Sequence, residues 1–414
     1  MTVVIPASPR ARPYSAQAPP GTQRAALSPA SSALPLDPLS HHAHPSAHRA
    51  PSRSTATAIV YCEGQFGAID GKTANGLIRH SEKYDVLSVI DSDQAGLDTG
   101  SILDGVPNGI PVCRDLADSL RQAETVPDFL IFGMAPASGL LSEGQRKVVL
   151  AAMGEGMSIV NGLHEFLNDD PEFAAARITH NVDIVDVRRP RPKKYLRMFS
   201  GRIHEVTCPR IAVLGTDCAI GKRTTATVLA AALNRVGLKT VMVGTGQTGL
   251  IQGARYGVAL DSVPSQFCAG ELEATIVEAF HAESPDVIIV EGQGALSHPA
   301  FSTTSFILRG ACPQAVVLQH APARAFRCDF ETMAMPEPAS EINLIETFSD
   351  TRVIGLTLNH EDMDDDQVAR AIAAFALDLG IPVTDALARP GGELVSMVLA
   401  AFPELSARLT GERQ

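Results

Sequence analysis

From residue 57 onward the chain alternates short apolar runs with amphipathic stretches of roughly ten to fifteen residues, the period of βαβ units. Ala58-Ile59-Val60-Tyr61, residues 85–90, Pro111-Val112, residues 129–132 and residues 157–160 read as buried strands, and helices are expected over 73–80, 115–124 and 143–154. A second series opens at residues 210–214 and continues through apolar runs at 240–243, 287–290, 315–318 and 353–357. Its clearest helix spans 224–236, where Val228, Leu229, Ala232 and Leu233 form one stripe. The expected fold class is α/β, with an N-terminal Rossmann-like parallel-sheet domain over 58–187 and a P-loop NTPase-like α/β domain over 210–405. Residues 188–209 form a linker between them, and 406–414 a C-terminal tail.

Residues 1–57 break the pattern. They are crowded with Pro, Ala, Ser, His and Arg and hold one acidic residue, Asp37. Such a segment cannot bury enough apolar surface to offset the entropy of ordering, so a disordered tail is expected. Its Arg and Ser content also matches a transit peptide, but the prolines oppose the amphipathic helix such peptides form.

Composition narrows the partners. Hydrophobic residues make 45% of the 414 and charged ones 19%, within the range of ordinary globular domains. Net charge is −12, and the densest basic stretch, Arg188-Arg189-Pro190-Arg191-Pro192-Lys193-Lys194, falls in the linker, where it is expected to be solvated. Nucleic acid is therefore not an expected partner. Seven scattered cysteines lack the spacing of a zinc site or a disulfide framework, so no metal is expected and a reducing, cytoplasmic setting is. No apolar run approaches the ~20 residues that span a bilayer, so no membrane association is expected.

The chemistry concentrates after residue 214. Gly215-Thr216-Asp217-Cys218-Ala219-Ile220-Gly221-Lys222-Arg223-Thr224 follows a strand and opens a helix, the arrangement in which loop N–H groups, a helix N-terminus and a lysine converge on phosphates. The loop carries one residue more than the common G-x-x-x-x-G-K-[ST] spacing, and Arg223 separates Lys222 from Thr224. Its Gly-Thr-Asp opening is similar to dethiobiotin synthetase, in which case Thr224 or Thr225 would ligand Mg²⁺. Residues 287–290 then deliver Glu291 to the same sheet edge, followed by a glycine-bearing turn that reaches His298 and Pro299. Residues 244–249 supply another such turn, with Gln247 and Thr248 as substrate contacts. Arg309 and Arg324 are candidates to grip a carboxylate, because guanidinium binds it bidentately. His320 and His360 also follow strands and are weaker candidates; the acidic run 361–366 reads as a solvated helix start. In the first domain Gly64 and Gly67 fall short of a dinucleotide fingerprint, and Asp91 can either bind a ribose or cap the next turn.

These residues together resemble the DgcN-type D-glutamate N-acetyltransferases, over about residues 58–405. The resemblance is carried by residues 133–139 (Gly-Met-Ala-Pro-Ala-Ser-Gly), 160–167 (Val-Asn-Gly-Leu-His-Glu-Phe-Leu), 215–225, 245–249 and 291–299. It also accounts for the Lys222-Arg223-Thr224-Thr225 order. What it implies is acetyl transfer from acetyl-CoA, as co-substrate, to the amine of D-glutamate or a similar amino acid, in D-amino-acid catabolism. Gly215, Thr216, Gly221, Lys222, Arg223, Thr224 and Thr225 would then hold the CoA diphosphate without cleaving it. Glu291, Asp217 and His298 are the candidates for the general base, and Gln247, Thr248 and Arg309 for substrate contacts. The alternative from the residues themselves is a Mg-ATP-dependent ligase or kinase acting on a carboxylate; a nucleotide-sensing regulator is a third. The expected partners are small molecules, with a homodimer the default assembly.

Overall fold

The computed structural model describes residues 56–410 apart from Ala137 and Pro390. The tail expected over 1–57 falls almost wholly outside these residues. The described residues form one compact unit built on two large sheets.

The first sheet comprises β1 (Ala56–Tyr61), β2 (Tyr84–Ile90), β3 (Val112–Cys113), β4 (Phe129–Phe132), β5 (Ser158–Asn161) and β6 (Ile184–Asp186), in the order β3-β2-β1-β4-β5-β6. Every pairing is parallel. The order reverses between β1 and β4, the place where open α/β sheets leave a crevice at their carboxyl edge. Strands read from continuous apolar runs are buried on both faces here: Ile59, Val60, Leu130, Ile131 and Ile159 are inaccessible to solvent. Local side chains start two of the expected helices. Ser142 and Gln145 close a capping box on helix Glu143–Gly154, and Asp115 caps helix Leu116–Gln122 through the Asp118 N–H. Asp91 does the same for its turn, accepting from the N–H groups of Asp93 at 3.1 Å and Phe66 at 3.0 Å; it is a structural carboxylate that shapes the Gly64–Gly67 loop.

The second sheet holds β7 (Arg210–Gly215), β8 (Thr240–Gly244), β9 (Tyr256–Gly257), β10 (Val287–Glu291) and β11 (Ala315–His320). After a small antiparallel hairpin of β12 (Phe326–Arg327) and β13 (Phe330–Ala334), β14 (Arg352–Leu358) and β15 (Val383–Asp385) complete it. The order is β15-β14-β11-β7-β10-β8-β9, again all parallel. The strand before the P-loop is central, which fixes its loop rigidly. Residues 406–410 are not a tail: they finish helix Pro403–Thr410, anchored by the fully buried Leu405.

The basic stretch after β6 is solvated only in part: Arg189, Arg191, Lys193 and Lys194 are exposed, as expected, but one arginine is not. Arg188 is buried, grips Asp261 through Nε and Nη2 at 3.0 and 2.8 Å, and also donates to the Gly162 carbonyl. Arg191 and Arg197 converge on Glu271 of helix Ser265–Glu283, at 2.7 Å from Arg191 and 2.6 Å from the Arg197 N–H. A run of like charges reads as solvent-facing until acids distant in sequence are folded against it. Burial holds the Glu271 carboxyl above its ordinary range, against the pull of Arg191. Removing that carboxylate leaves the partly buried Arg197 N–H without its acceptor and releases two guanidinium groups to solvent, so Glu271→Ala is expected to cost about 1 kcal/mol, read as a lower urea midpoint with unchanged slope.

Candidate functional site

The P-loop leaves β7 at Gly215 and ends at Gly221, whose φ of +95° admits glycine and little else, before helix Lys222–Arg235 begins. No side chain caps that helix. Among the described residues no protein acceptor takes the N–H groups of residues 218–223. The loop is thus a ring of unspent donors around a helix N-terminus, the physical requirement for holding an anion. Lys222 is buried beneath it and donates to the Asp217 carbonyl. Burial pulls its ammonium below the ordinary lysine range, and the nearby Lys72 and Arg324 pull the same way. An arriving phosphate would supply the missing counter-charge.

The other expected phosphate contacts divide. Thr216 is buried, with its N–H on the Gln319 carbonyl at 3.1 Å and its hydroxyl on His320 Nδ1 at 2.9 Å. Thr225 donates its hydroxyl to Gln319 Oε1 at 2.6 Å, so it faces β11 and not the loop; Thr224 is partly exposed on the first turn. Arg223 points away from the loop, donating to Gln252 Oε1 at 2.7 Å and Met242 Sδ at 3.2 Å. This is why an arginine fits after Lys222: helix geometry turns adjacent side chains about 100° apart, and position 223 serves the neighbouring strand.

The three base candidates surround the loop. Asp217 is fully buried, accepts from the Cys328 N–H at 2.6 Å and lies 3.6 Å from Arg324, tying the β12–β13 hairpin to the P-loop. His298 Nε2 lies 3.6 Å from Asp217 Oδ1, and neither atom has a hydrogen-bond partner. The ring is stacked on Phe301 at 4.7 Å, and Nδ1 accepts from the Ala300 N–H at 3.2 Å. An acceptor at Nδ1 puts the proton on Nε2, so His298 turns an N–H toward Asp217 without bonding it. With Cys218 these two could surround a cation, but a protonated Nε2 offers no lone pair, and Lys222, Arg324 and Arg327 crowd the position with positive charge. Burial keeps the His298 imidazole below its usual range despite the pull of Asp217.

Glu291 closes β10, and its Oε2 accepts from the Thr245 N–H at 3.0 Å. It is buried, which raises its carboxyl above the ordinary range against Arg223, the N–H groups of Thr245 and Gly246, and Lys222. Gly249 packs so closely that a methyl there would lie 2.5 Å from Oε2. Glu291 therefore holds the turn that starts helix Gln247–Gln252. That helix meets the first sheet's lobe: Thr248 and Thr73 share a hydroxyl hydrogen bond of 3.0 Å, and Gln247 packs on Gly162.

Five expectations change. Arg309 sits at the end of helix Thr303–Ala311, beside the start of β7, stacked 5.1 Å over Phe348. That is the opposite sheet edge from the P-loop, because a helix that follows one parallel strand returns to the start of the next. Arg324 is engaged within the protein, bidentate on Glu361 at 2.7 and 3.0 Å and bonded to the Cys218 carbonyl at 3.0 Å. Glu361 accordingly braces the loop and is no mere solvated helix start. His320 is driven down to about 4 by burial and His360 pairs with Asp385 at 2.5 Å, so both are structural. Sequence reasoning also passed over Lys72. It opens helix Lys72–His80 in the other lobe, yet its charge bears on Lys222 and Cys218. Only a glycine, Gly71, precedes it, too weak a local signal to mark it.

Residues 197–395 match the DUF1611 C-terminal P-loop domain, a domain of unknown function, and residues 92–190 match the DUF1611 N-terminal Rossmann-like domain. The chain is 31% identical over 264 residues to a protein of Pseudoalteromonas sp named D-glutamate N-acetyltransferase, covering 62% of this chain and 77% of that protein. A protein of the same name from Tritonibacter scottomollicae is 29% identical over 283 residues, 66% of this chain and 81% of that one. The crystal structure of a DUF1611 family protein from Anabaena variabilis superposes with a TM-score of 0.77 at 29% identity, covering 83% of this chain and 99% of that one. Among the described residues no helix is long and apolar enough to cross a membrane.

Proposed function

The chain belongs to the DUF1611 family, and on that premise we propose that it is an N-acetyltransferase moving the acetyl group of acetyl-CoA to the amine of D-glutamate or a similar amino acid, as a step in D-amino-acid breakdown. The observation that carries this reading is the ring of unspent N–H donors over buried Lys222, joined to relatives named for D-glutamate N-acetylation. The ring would hold the diphosphate of CoA, which resembles that of a nucleotide. The ligase reading has less support, because the Thr225 hydroxyl is committed to Gln319 and Arg223 stands where a metal-binding hydroxyl would follow the lysine.

With the diphosphate in the loop, the thioester lies at the far end of the pantetheine arm. Asp217 and His298 then stand against the phosphates, and Glu291 is sealed beneath the Thr245–Gly249 turn. Their roles in this reading are to build the anion site. Acetyl transfer itself needs a base near the other end.

The test is thiol release from acetyl-CoA with a panel of D- and L-amino acids, alongside phosphate release from ATP and Mg²⁺. The expected result is thiol release that depends on D-glutamate or a close analogue, with no phosphate. Phosphate without thiol would return the loop to nucleotide hydrolysis.

A further inference from the structure

The first lobe's two family-bearing stretches, 133–139 and 160–167, meet in the fold. The Gly139 carbonyl accepts from the N–H groups of both His164 and Glu165 at 3.2 Å. Asn161 shapes the same turn, accepting from the Leu163 N–H at 3.0 Å and donating to the Glu165 carbonyl at 2.7 Å. Gly139 has φ +67° and lies against the imidazole of His164, so that a methyl there would be 3.0 Å from ring Cδ2. A ring cradled in this way has a set direction. Its Nε2 reaches across to the second lobe, 3.8 Å from Asp261 Oδ2, on the carboxylate that Arg188 grips. His164 remains 48% exposed, so a substrate can reach it.

Its place suits the acetyl end of the donor. Asp261 lies on the segment just after β9, alongside the carboxyl end of β8, where the Leu260 N–H bonds the Thr245 carbonyl at 3.0 Å. In the sheet order β7-β10-β8-β9, that segment is three strands from the P-loop strand, about 14 Å at ~4.8 Å per strand. On its outer side, Arg188 also lines a cavity of about 330 Å³ with Arg189, Arg191, Arg197 and Arg255, beside Glu271. Neither His164 nor Asp261 lines that cavity, which joins the pair only through Arg188.

Resting on the acetyltransferase reading, we infer that His164 is the general base of the transfer and Asp261 its positioning residue. Across 3.8 Å, too far for a hydrogen bond, the Asp261 carboxylate favours the proton on Nε2 electrostatically, leaving the Nδ1 lone pair for the substrate ammonium. His164 takes one proton from that ammonium, and the neutral amine attacks the thioester carbonyl. The C–N bond forms, the C–S bond breaks, and the departing CoA sulfur takes the second proton lost by nitrogen, leaving one proton on His164 for solvent. The charged groups facing the ring are Arg188 and Asp261; burial first and Arg188 next hold the imidazole below 6.5, while Asp261 pulls it up. The base is then unprotonated at neutral pH.

The experiment is the pH profile of thiol release by the full chain, for wild type, His164→Asn, His164→Ala with and without added imidazole, and Asp261→Asn. Wild-type kcat/KM is expected to fall toward acid with a midpoint below 6.5. Loss of the imidazole should lower kcat roughly 10²-fold, leave both KM values within a few-fold, and remove the acid limb. Added imidazole should partly restore His164→Ala, and Asp261→Asn should move the limb to lower pH, since the carboxylate raises the ring's pKa. A His164 variant that keeps the acid limb, whatever its rate, overturns the assignment and leaves the acetyltransferase reading standing. Wild-type protein that acetylates no amine overturns both.

Discussion

If the loop holds CoA as proposed, Lys222→Ala is expected to weaken its binding about 10- to 100-fold while leaving the fold as stable as before or more so. A hydrogen bond to a charged group contributes about 1.5–3 kcal/mol, and each 1.4 kcal/mol is about tenfold in affinity. The sign on stability follows from the site without ligand. Lys222 is buried, which is the largest influence on its ammonium; its only hydrogen bond among the described residues is to a carbonyl, and the pull of Cys218 and Asp217 in its favour is opposed by Lys72 and Arg324. Such a group is costly in the empty protein and favourable only when an anion arrives, so function and stability should move in opposite directions. Calorimetric titration with CoA and a thermal melt of the same preparations measure the two. A variant that loses affinity and melts earlier would mean that Lys222 serves chiefly to hold the Asp217 carbonyl, and the anion role would pass to the loop N–H groups.

Gly292→Ala is expected to cost about 4 kcal/mol, a loss reserved for changes that force packed backbone apart. Gly292 directly follows Glu291, where β10 runs beside β7. A methyl there would fall 2.1 Å from the Val213 carbonyl oxygen and 3.0 Å from Leu214 Cα. Both are main-chain atoms of the central strand, so no side-chain rotation relieves the clash. The strands must separate just below the P-loop, so anion binding by the loop should fall with the stability. Gly144→Ala is the control: it lies in helix Glu143–Gly154 with nothing within 4 Å of the added carbon. There the smaller entropy of alanine in the unfolded chain should raise stability by about 0.5 kcal/mol. Urea denaturation of the two variants beside wild type checks both signs.

The same contrast separates what the chain states locally from what folding adds. The fold class, the two successive sheets, the P-loop with its helix, and Glu291 at a strand end are all legible in the sequence, because each depends on periodicity or on spacing within a few residues. Partner choice is not local. Arg188 meets Asp261 across 73 positions, Arg324 meets Glu361 across 37, and Thr225 meets Gln319 across 94. No pattern along the chain marks those acids and amides as partners, so Arg188 reads as solvated, Arg324 as a substrate contact and Thr225 as a metal ligand. Arg309 shows the geometric form of the problem, since its residue type suits a carboxylate but parallel connectivity carries it to the wrong sheet edge.

By itself, then, the sequence determined where the main strands, their helices and the phosphate loop lie, because apolar periodicity and turn residues are set by neighbours along the chain; the short β6, β9 and β15 and the β12–β13 hairpin carry too little pattern to be read. Tertiary structure alone decided which charges are buried and paired, that Lys72 joins the loop's field from the other lobe, and that His164 faces Asp261. The physical reason is that a side chain's chemistry depends on the groups within a few ångströms of it, and in a parallel α/β fold most of those come from strands and loops far away in the chain.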